Sequence, residues 1–427
     1  MNKRQIVFLG LKGVNLALAT VMSFALIWIL IRKLPLASYS TFVLIVAMGS
    51  YVMATDLGFS SVVYHRVRKA FLGEDPASEK SLVFTASGLY FGVVAIAEVL
   101  MILWMHGGGV GGDLVGAFAI YFLALALSLP WGLMRAIAGA LDLYLHYEAI
   151  EAARRTVLTG LLFAMAMGMS LKVYALIALA LWPMAYALLL PSVFRLMGGG
   201  ERGWRHLWRP RAAIAENGRM LGAASLFSLM EFGIYNFPYV ALPLIFGRGP
   251  ALVAFDVFFK VTRFGAQSYL VPNESLLPMN TRAIHERDGR KLLRNVAAAL
   301  AISAVACAIG AGAVLLFGET LFRLLLKNAG LVPPTLRWCM AVILVAMMFQ
   351  AASGTLLLNS GKMGVLSRVS LGMAVSMSLM TAAVVTLHLP FLVFMQSYVA
   401  VFSIGATVYF TLLVRSVRRL LGPHRQW

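Results

Sequence analysis

Apolar runs of about 20 residues or more alternate with short polar breaks from one end of the chain to the other. The runs lie near residues 6–31, 37–63, 81–105, 114–134, 156–171, 173–194, 220–246, 251–277, 295–318, 336–358, 369–388 and 390–414. They predict an all-α polytopic membrane protein with about twelve transmembrane helices, since a spanning segment must satisfy its own backbone hydrogen bonds. Only Lys172 and its neighbours separate the fifth run from the sixth. After the sixth comes a long polar break, "RLMGGGERGWRHLWRPRAAIAENGR", over 195–219. It divides the chain into an N-terminal bundle (1–194) and a C-terminal bundle (220–414), with a basic tail over 415–427. The Arg and Trp residues of the break suit an amphipathic segment lying on anionic headgroups.

Composition agrees with this pattern. Of 427 residues, 61% are hydrophobic and 12% charged, where a soluble chain has about a quarter charged. The net charge of +19 does not point to nucleic acid, because the Lys and Arg residues sit in the breaks between runs. With the N-terminus inside, the outer breaks hold only Arg32, Lys33, Lys172, Arg248, Arg323, Lys327 and Arg337 of the 36 Lys and Arg residues. That asymmetry predicts both termini on the cytoplasmic side, although Arg32 and Lys33 run against it. Cys307 and Cys339 fall inside apolar runs and read as packing residues. His residues do not cluster, no carboxylate pair has metal-ligand spacing, and no nucleophile–base set stands out. The sequence therefore predicts neither an enzyme nor a metal or cofactor site.

The eighth run departs from the pattern. "FDVFFKVTRFGAQSYLVPNESLLP" is membrane-length, yet it carries Asp256, Lys260, Arg263 and Glu274. At 100° per residue, and with Asp256 at zero, Lys260 lies at about 40°, Arg263 at about −20°, Gln267 at about 20° and Glu274 at about 0°. All five share one strip roughly 60° wide, with apolar side chains around the rest of the helix. Such a strip faces a partner or an aqueous interior, since exposing one charge to lipid costs at least about 2.5–3.5 kcal/mol. Two readings fit: structural ion pairs such as Asp256–Lys260 at i, i+4, or a polar pathway.

The seventh run offers a matching face, with Ser225, Ser228, Glu231, Tyr235 and Tyr239 at three- and four-residue spacings. Asn236, Pro238 and Pro243 follow and predict a kink. Glu231 reads either as the partner of Lys260 or Arg263, or as a proton- or cation-coupled carboxylate. In the first run Lys12, Asn15 and Ser23 share a face, and Lys12 either snorkels to the surface or faces the interior. In the second, "DLGFSS" sets Asp56 before a Gly that opens the helix, as a structural bond or a transport residue.

Residues 11–66, "LKGVNLALATVMSFALIWILIRKLPLASYSTFVLIVAMGSYVMATDLGFSSVVYHR", resemble the start of a Wzx-type polysaccharide flippase. The features that carry the resemblance are Lys12 and Gly13, then Arg32, Leu34, Pro35 and Tyr39, then Asp56, Leu57, Gly58 and Arg66. "LLPMNTRAIHERDGRKLLR" (276–294) is similar to that family's loop after the eighth span, while Ser40 stands where the family usually has Gly. The resemblance implies the multidrug/oligosaccharidyl-lipid/polysaccharide exporter (MOP) superfamily: about twelve helices in two six-helix bundles around a central polar cavity. It further implies a flippase in a bacterial cytoplasmic (inner) membrane, moving undecaprenyl-pyrophosphate-linked glycan to the periplasmic leaflet for polysaccharide biosynthesis. Its partners would be a proton or sodium gradient and a polysaccharide polymerase with its export machinery. On this reading Lys260, Arg263 and Lys12 meet the anionic headgroup, and Tyr235, Asn236, Tyr239, Gln267 and Asn15 meet sugar hydroxyls. Glu231, Asp256, Asp56 and Glu274 then serve ion coupling or conformational switching. The competing expectation is a proton- or sodium-coupled drug or metabolite antiporter, related to the MATE transporters or to the major facilitators.

Overall fold

The structure is a computed structural model that describes residues 3–421, apart from 57, 74–78, 108–111, 198–209, 248, 277–278, 281–282, 285, 287, 327–328 and 360–362. The side chains of Ser228 and Glu231 also fall outside that description, as does the 198–209 part of the basic break, whose last residues from Pro210 belong to a helix. The described residues are helical and contain no strand.

In chain order the helices are α1 (Lys3–Lys33), α2 (Leu36–Ala54), α3 (Phe59–Leu72), α4 (Lys80–Gly107), α5 (Gly112–Ala126), α6 (Ser128–Ala140), α7 (Tyr144–Ala166) and α8 (Leu171–Leu196). They continue with α9 (Pro210–Phe246), α10 (Pro250–Ser275), α11 (Gly289–Leu316), α12 (Gly318–Leu325), α13 (Pro334–Asn359), α14 (Met363–Thr386) and α15 (Phe391–Leu421). Among the described residues, nine segments are long and apolar enough to cross a membrane: α1, α2, α4, α5 with α6, α8, α11, α13, α14 and α15. The protein is a multi-pass membrane protein. Two other long helices, α7 and α10, fall outside that set and hold the charge clusters described below, while α9 contributes the shorter apolar stretch Gly233–Phe246.

The fifth span requires correction. It was expected over 156–171, but α7 begins at Tyr144 and ends at Ala166. Glu148, Glu151, Arg154 and Arg155 look like loop residues in sequence, yet they lie inside the helix, where Glu151 pairs with both arginines. Arg154 and Arg155 are therefore not loop charges. The second run is broken between α2 and α3, where Gly58 takes φ 75° as the N-cap of α3. Asp56 bridges the break: its Oδ1 accepts the Ser60 backbone N–H at 3.2 Å and the Ser60 hydroxyl at 2.5 Å. It also accepts the Tyr90 hydroxyl from α4. The "DLG" signature is thus a helix start, with a left-handed Gly and a side-chain cap.

Other helix ends follow ordinary capping chemistry. Ser170 caps α8 through the Val173 N–H (3.3 Å), and Asp288 caps α11 through the Lys291 N–H (2.9 Å). The C-termini of α6, α7 and α14 close by the same reach back over five residues: Leu143 to Ala138 at 2.7 Å, Met169 to Ala164 at 3.1 Å and Leu389 to Val384 at 3.1 Å. The left-handed residue in each is Asp142, Gly168 and His388. Lys33, against the charge rule in sequence, donates to the Met165 carbonyl at the C-terminal end of α7, where the helix dipole is negative. Arg32 donates to the Trp28 carbonyl at 2.8 Å and lies 4.5 Å over the Trp28 ring. α9 runs through Pro238 and Pro243 without a break in the helix.

The chain packs as two units, Met1–Leu229 and Met230–Trp427. In the first, α1 lies on α7, α5 on α8 and α3 on α6. In the second, α13 is central, against α10, α11 and α15. α13 buries 67% of its apolar window, against 22% for α4, α11 and α14. Those peripheral helices expose Ile96, Ile309 and Leu379 by more than half, as lipid-facing surfaces do and aqueous ones do not. The close approach of α10 to α13 depends on Gly265, because a Cβ there would run into the Leu344 side chain.

Candidate functional site

In the second unit, the expected strip on α10 runs from a buried end to an exposed one. Asp256 is 1% exposed. Its Oδ2 accepts Lys260 Nζ at 2.7 Å and its Oδ1 accepts the Tyr239 hydroxyl at 2.9 Å. The pair therefore forms along one helix, at the i, i+4 spacing read from sequence. Tyr239 is held by the edges of Phe255 (4.8 Å) and Phe259 (5.2 Å). Near by, the Tyr235 hydroxyl donates to Gln350 Oε1 on α13 (3.1 Å) and its ring meets Phe402 on α15 (5.4 Å). Asn236 is buried.

Arg263 behaves differently. It is exposed, and its guanidinium carbon lies 5.8 Å over the Phe259 ring. Among the described residues no carboxylate forms an ion pair with it. Gln267 is half-buried and Glu274 exposed farther along α10. Among the described residues the helix thus carries one internally neutralised cation, Lys260, and one cation without an ion pair, Arg263, a turn apart. Glu231 lies on α9, and its side chain is outside the described residues.

The first unit holds a polar network that sequence reasoning missed. Glu151, 4% exposed on α7, accepts Arg154 Nε at 3.0 Å and Nη2 at 2.8 Å, Arg155 Nε at 2.5 Å, and the Trp131 indole N–H from α6 at 3.0 Å. The Arg154 guanidinium lies 4.1 Å over the Trp182 ring of α8, and Trp131 stacks on Tyr147 at 4.9 Å. One turn earlier, buried Glu148 accepts the Asn15 amide of α1 at 2.6 Å through Oε2 and at 3.1 Å through its backbone carbonyl. Arg155 returns the contact by donating to the Asn15 carbonyl at 2.8 Å. Two carboxylates and two guanidiniums balance formally, and α1 is clamped to α7. The spacing of Glu151 with Arg154 and Arg155, at i+3 and i+4, was the available signal.

The remaining expected residues lie in the first unit. Lys12 is half-buried, with Nζ 5.9 Å from the Phe8 ring centre. Asn15 gives its amide to Glu148, and Asp56 gives its Oδ1 to Ser60 and Tyr90. Among the described residues no cluster of His, Cys, Asp or Glu has a geometry fit for a metal ion.

Helices in this order and packing are shared with solved structures along nearly their full length. An inward-facing multidrug resistance MATE family transporter of the MOP superfamily superposes with a TM-score of 0.66 at 14% identity, covering 98% of this chain and 99% of the other. An outward-facing structure so described gives 0.68 at 14%, covering 98% and 96%. The fold is that of the MOP-superfamily transporters. A further MOP superfamily transporter, from Pyrococcus furiosus, gives 0.70 at 13% identity over 98% and 96%, and is described as having a binding pocket of reverse polarity. No protein-family profile matches the chain, and no curated protein matches it in sequence.

Proposed function

We propose that this MOP-fold protein is an alternating-access flippase in a bacterial inner membrane, with both termini cytoplasmic. Its cargo on this reading is an undecaprenyl-pyrophosphate-linked oligosaccharide, delivered to the periplasmic leaflet for polysaccharide biosynthesis. Arg263 carries the reading. It is an exposed guanidinium on a helix of membrane length, with no carboxylate paired to it among the described residues. A cation at membrane depth costs at least about 2.5–3.5 kcal/mol and is retained where it meets a charge that passes through. A pyrophosphate suits a guanidinium fork through paired charge-assisted hydrogen bonds. Tyr235, Asn236 and Gln267 supply hydroxyl and amide groups on α9 and α10 for sugar, the Tyr239 hydroxyl being taken by Asp256, while the prenyl tail remains in lipid.

A second reading, export of organic cations, draws on the multidrug description of the solved neighbours and on the buried carboxylates Asp256 and Glu148. One vesicle experiment separates the two. Outer-leaflet appearance of a prenyl-pyrophosphate oligosaccharide is measured for wild type and for Lys260→Ala/Arg263→Ala, alongside uptake of a cationic dye. Headgroup movement lost in a normally inserted double variant supports the flippase. Dye movement without headgroup movement, across several glycans, overturns it in favour of the drug exporter.

A further inference from the structure

Resting on the anionic-cargo reading above, we infer that Asp256 is an internal counter-ion which the transported anion displaces from Lys260. Both carboxylate oxygens of Asp256 are engaged, one by Lys260 and the other by Tyr239. The carboxylate is buried, at 1% exposure, whereas the Lys260 side chain keeps 15%. Lys260 and Arg263 stand three residues apart on one helix face, about 5–6 Å between Cβ atoms. That separation suits the two phosphoryl groups of a pyrophosphate.

The sequence of events follows from side-chain mechanics. Arg263, already exposed, takes the first phosphoryl group through its rigid fork. The second phosphoryl group competes with Asp256 for the ammonium at the end of the four-carbon Lys260 stem, which swings where a guanidinium fork would not. Asp256 is not left bare when Lys260 leaves, because the Tyr239 hydroxyl still donates to Oδ1. When the cargo departs, the carboxylate recaptures Lys260, so two neighbouring cations are never both uncompensated. The pair acts on affinity and on release together. Without it, the site would hold a pyrophosphate too tightly to turn over.

The test uses purified full-length protein in detergent, with farnesyl pyrophosphate as the probe and calorimetry as the readout. Asp256→Asn keeps an acceptor for Tyr239 and leaves Lys260 unneutralised, so binding is expected to tighten about tenfold. The gain is expected to vanish in the Lys260→Met background, and Asp256→Asn is expected to slow headgroup turnover in vesicles. Tyr239→Phe gives an independent route: it frees Oδ1 to strengthen the hold on Lys260, and weakens binding about threefold. An Asp256→Asn protein that melts as wild type and binds no more tightly overturns the counter-ion, as does a gain that persists without Lys260. Should Asp256→Asn not fold, unchanged affinity in Tyr239→Phe overturns it instead. A wild-type protein that binds no farnesyl pyrophosphate overturns the anionic-cargo reading itself. Binding that needs Arg263 but ignores Asp256 and Tyr239 removes only the counter-ion.

Discussion

α7 and α10 each carry several charges among membrane-length apolar residues, and they dispose of those charges in opposite ways. On α7, Glu148, Glu151, Arg154 and Arg155 fall within eight residues and balance formally, closed over by Trp131, Trp182 and Asn15. On α10 the charges are strung along one face, and only Asp256 and Lys260 neutralise each other, leaving Arg263 exposed. A closed, neutral network holds helices together. An open cation has no such value in a low-dielectric setting and needs another reason to exist. The contrast teaches that the number of buried charges says little about function, and that the balance of each cluster says more.

The comparison breaks first, and with the largest effect, at Glu151. In Glu151→Gln the two guanidiniums lose their shared anion while staying between helices. Removing one partner of a buried pair costs about 3–5 kcal/mol, and the lower end applies because Arg155 keeps 28% exposure. An SDS unfolding titration of the purified protein is the measurement, and a cost below about 1 kcal/mol would place the α7 cluster among weak surface pairs.

The same two helices show what can be read from sequence and what cannot. The α10 strip was legible because its charges are spaced by turns and separated by Val, Phe and Leu, so the helical period survives in the letters. The α7 cluster was misread as a loop because four charges crowd two turns and lower the local hydropathy below that of a span. Its pairing was legible in the i+3 and i+4 spacing, but its closure becomes visible only when Trp131, Trp182 and Asn15 arrive, and Asn15 lies 133 residues away. Helix ends divide in the same way. Gly58 and Gly168 advertise left-handed turns, whereas Asp142 and His388 adopt them at positions no composition rule marks. The Asp256–Lys260 pair was available from spacing alone, but the Tyr239 hydroxyl that completes it required the packing of α9 on α10.

A middle-sized effect is expected at the clamp between α1 and α7. Asn15→Ala removes the amide that reaches both the Glu148 side chain and its backbone carbonyl. It leaves a buried carboxylate short of a donor, at a cost of about 1–3 kcal/mol. The unfolding titration should shift by that amount. Hydrogen exchange should then rise along α1 and α7, leaving α10 and α13 unaffected, because the two clusters belong to different packing units. Equal loosening in both units would mean that the first-unit network is no local clamp.

The smallest effect on stability is expected where the largest effect on transport is proposed. Arg263→Gln removes an exposed cation that pairs with no carboxylate among the described residues, so no buried partner is stranded. What is lost is the guanidinium over Phe259, at 5.8 Å, worth about 0.5 kcal/mol at an exposed position. The gain is the removal of a charge from a membrane-length helix, which acts in the opposite direction. The unfolding midpoint should therefore stay within about 0.5 kcal/mol of wild type, while headgroup movement falls by at least about tenfold. A loss of stability comparable to that of Glu151→Gln would make Arg263 a structural charge like those of α7, and the contrast between the two helices would vanish with it.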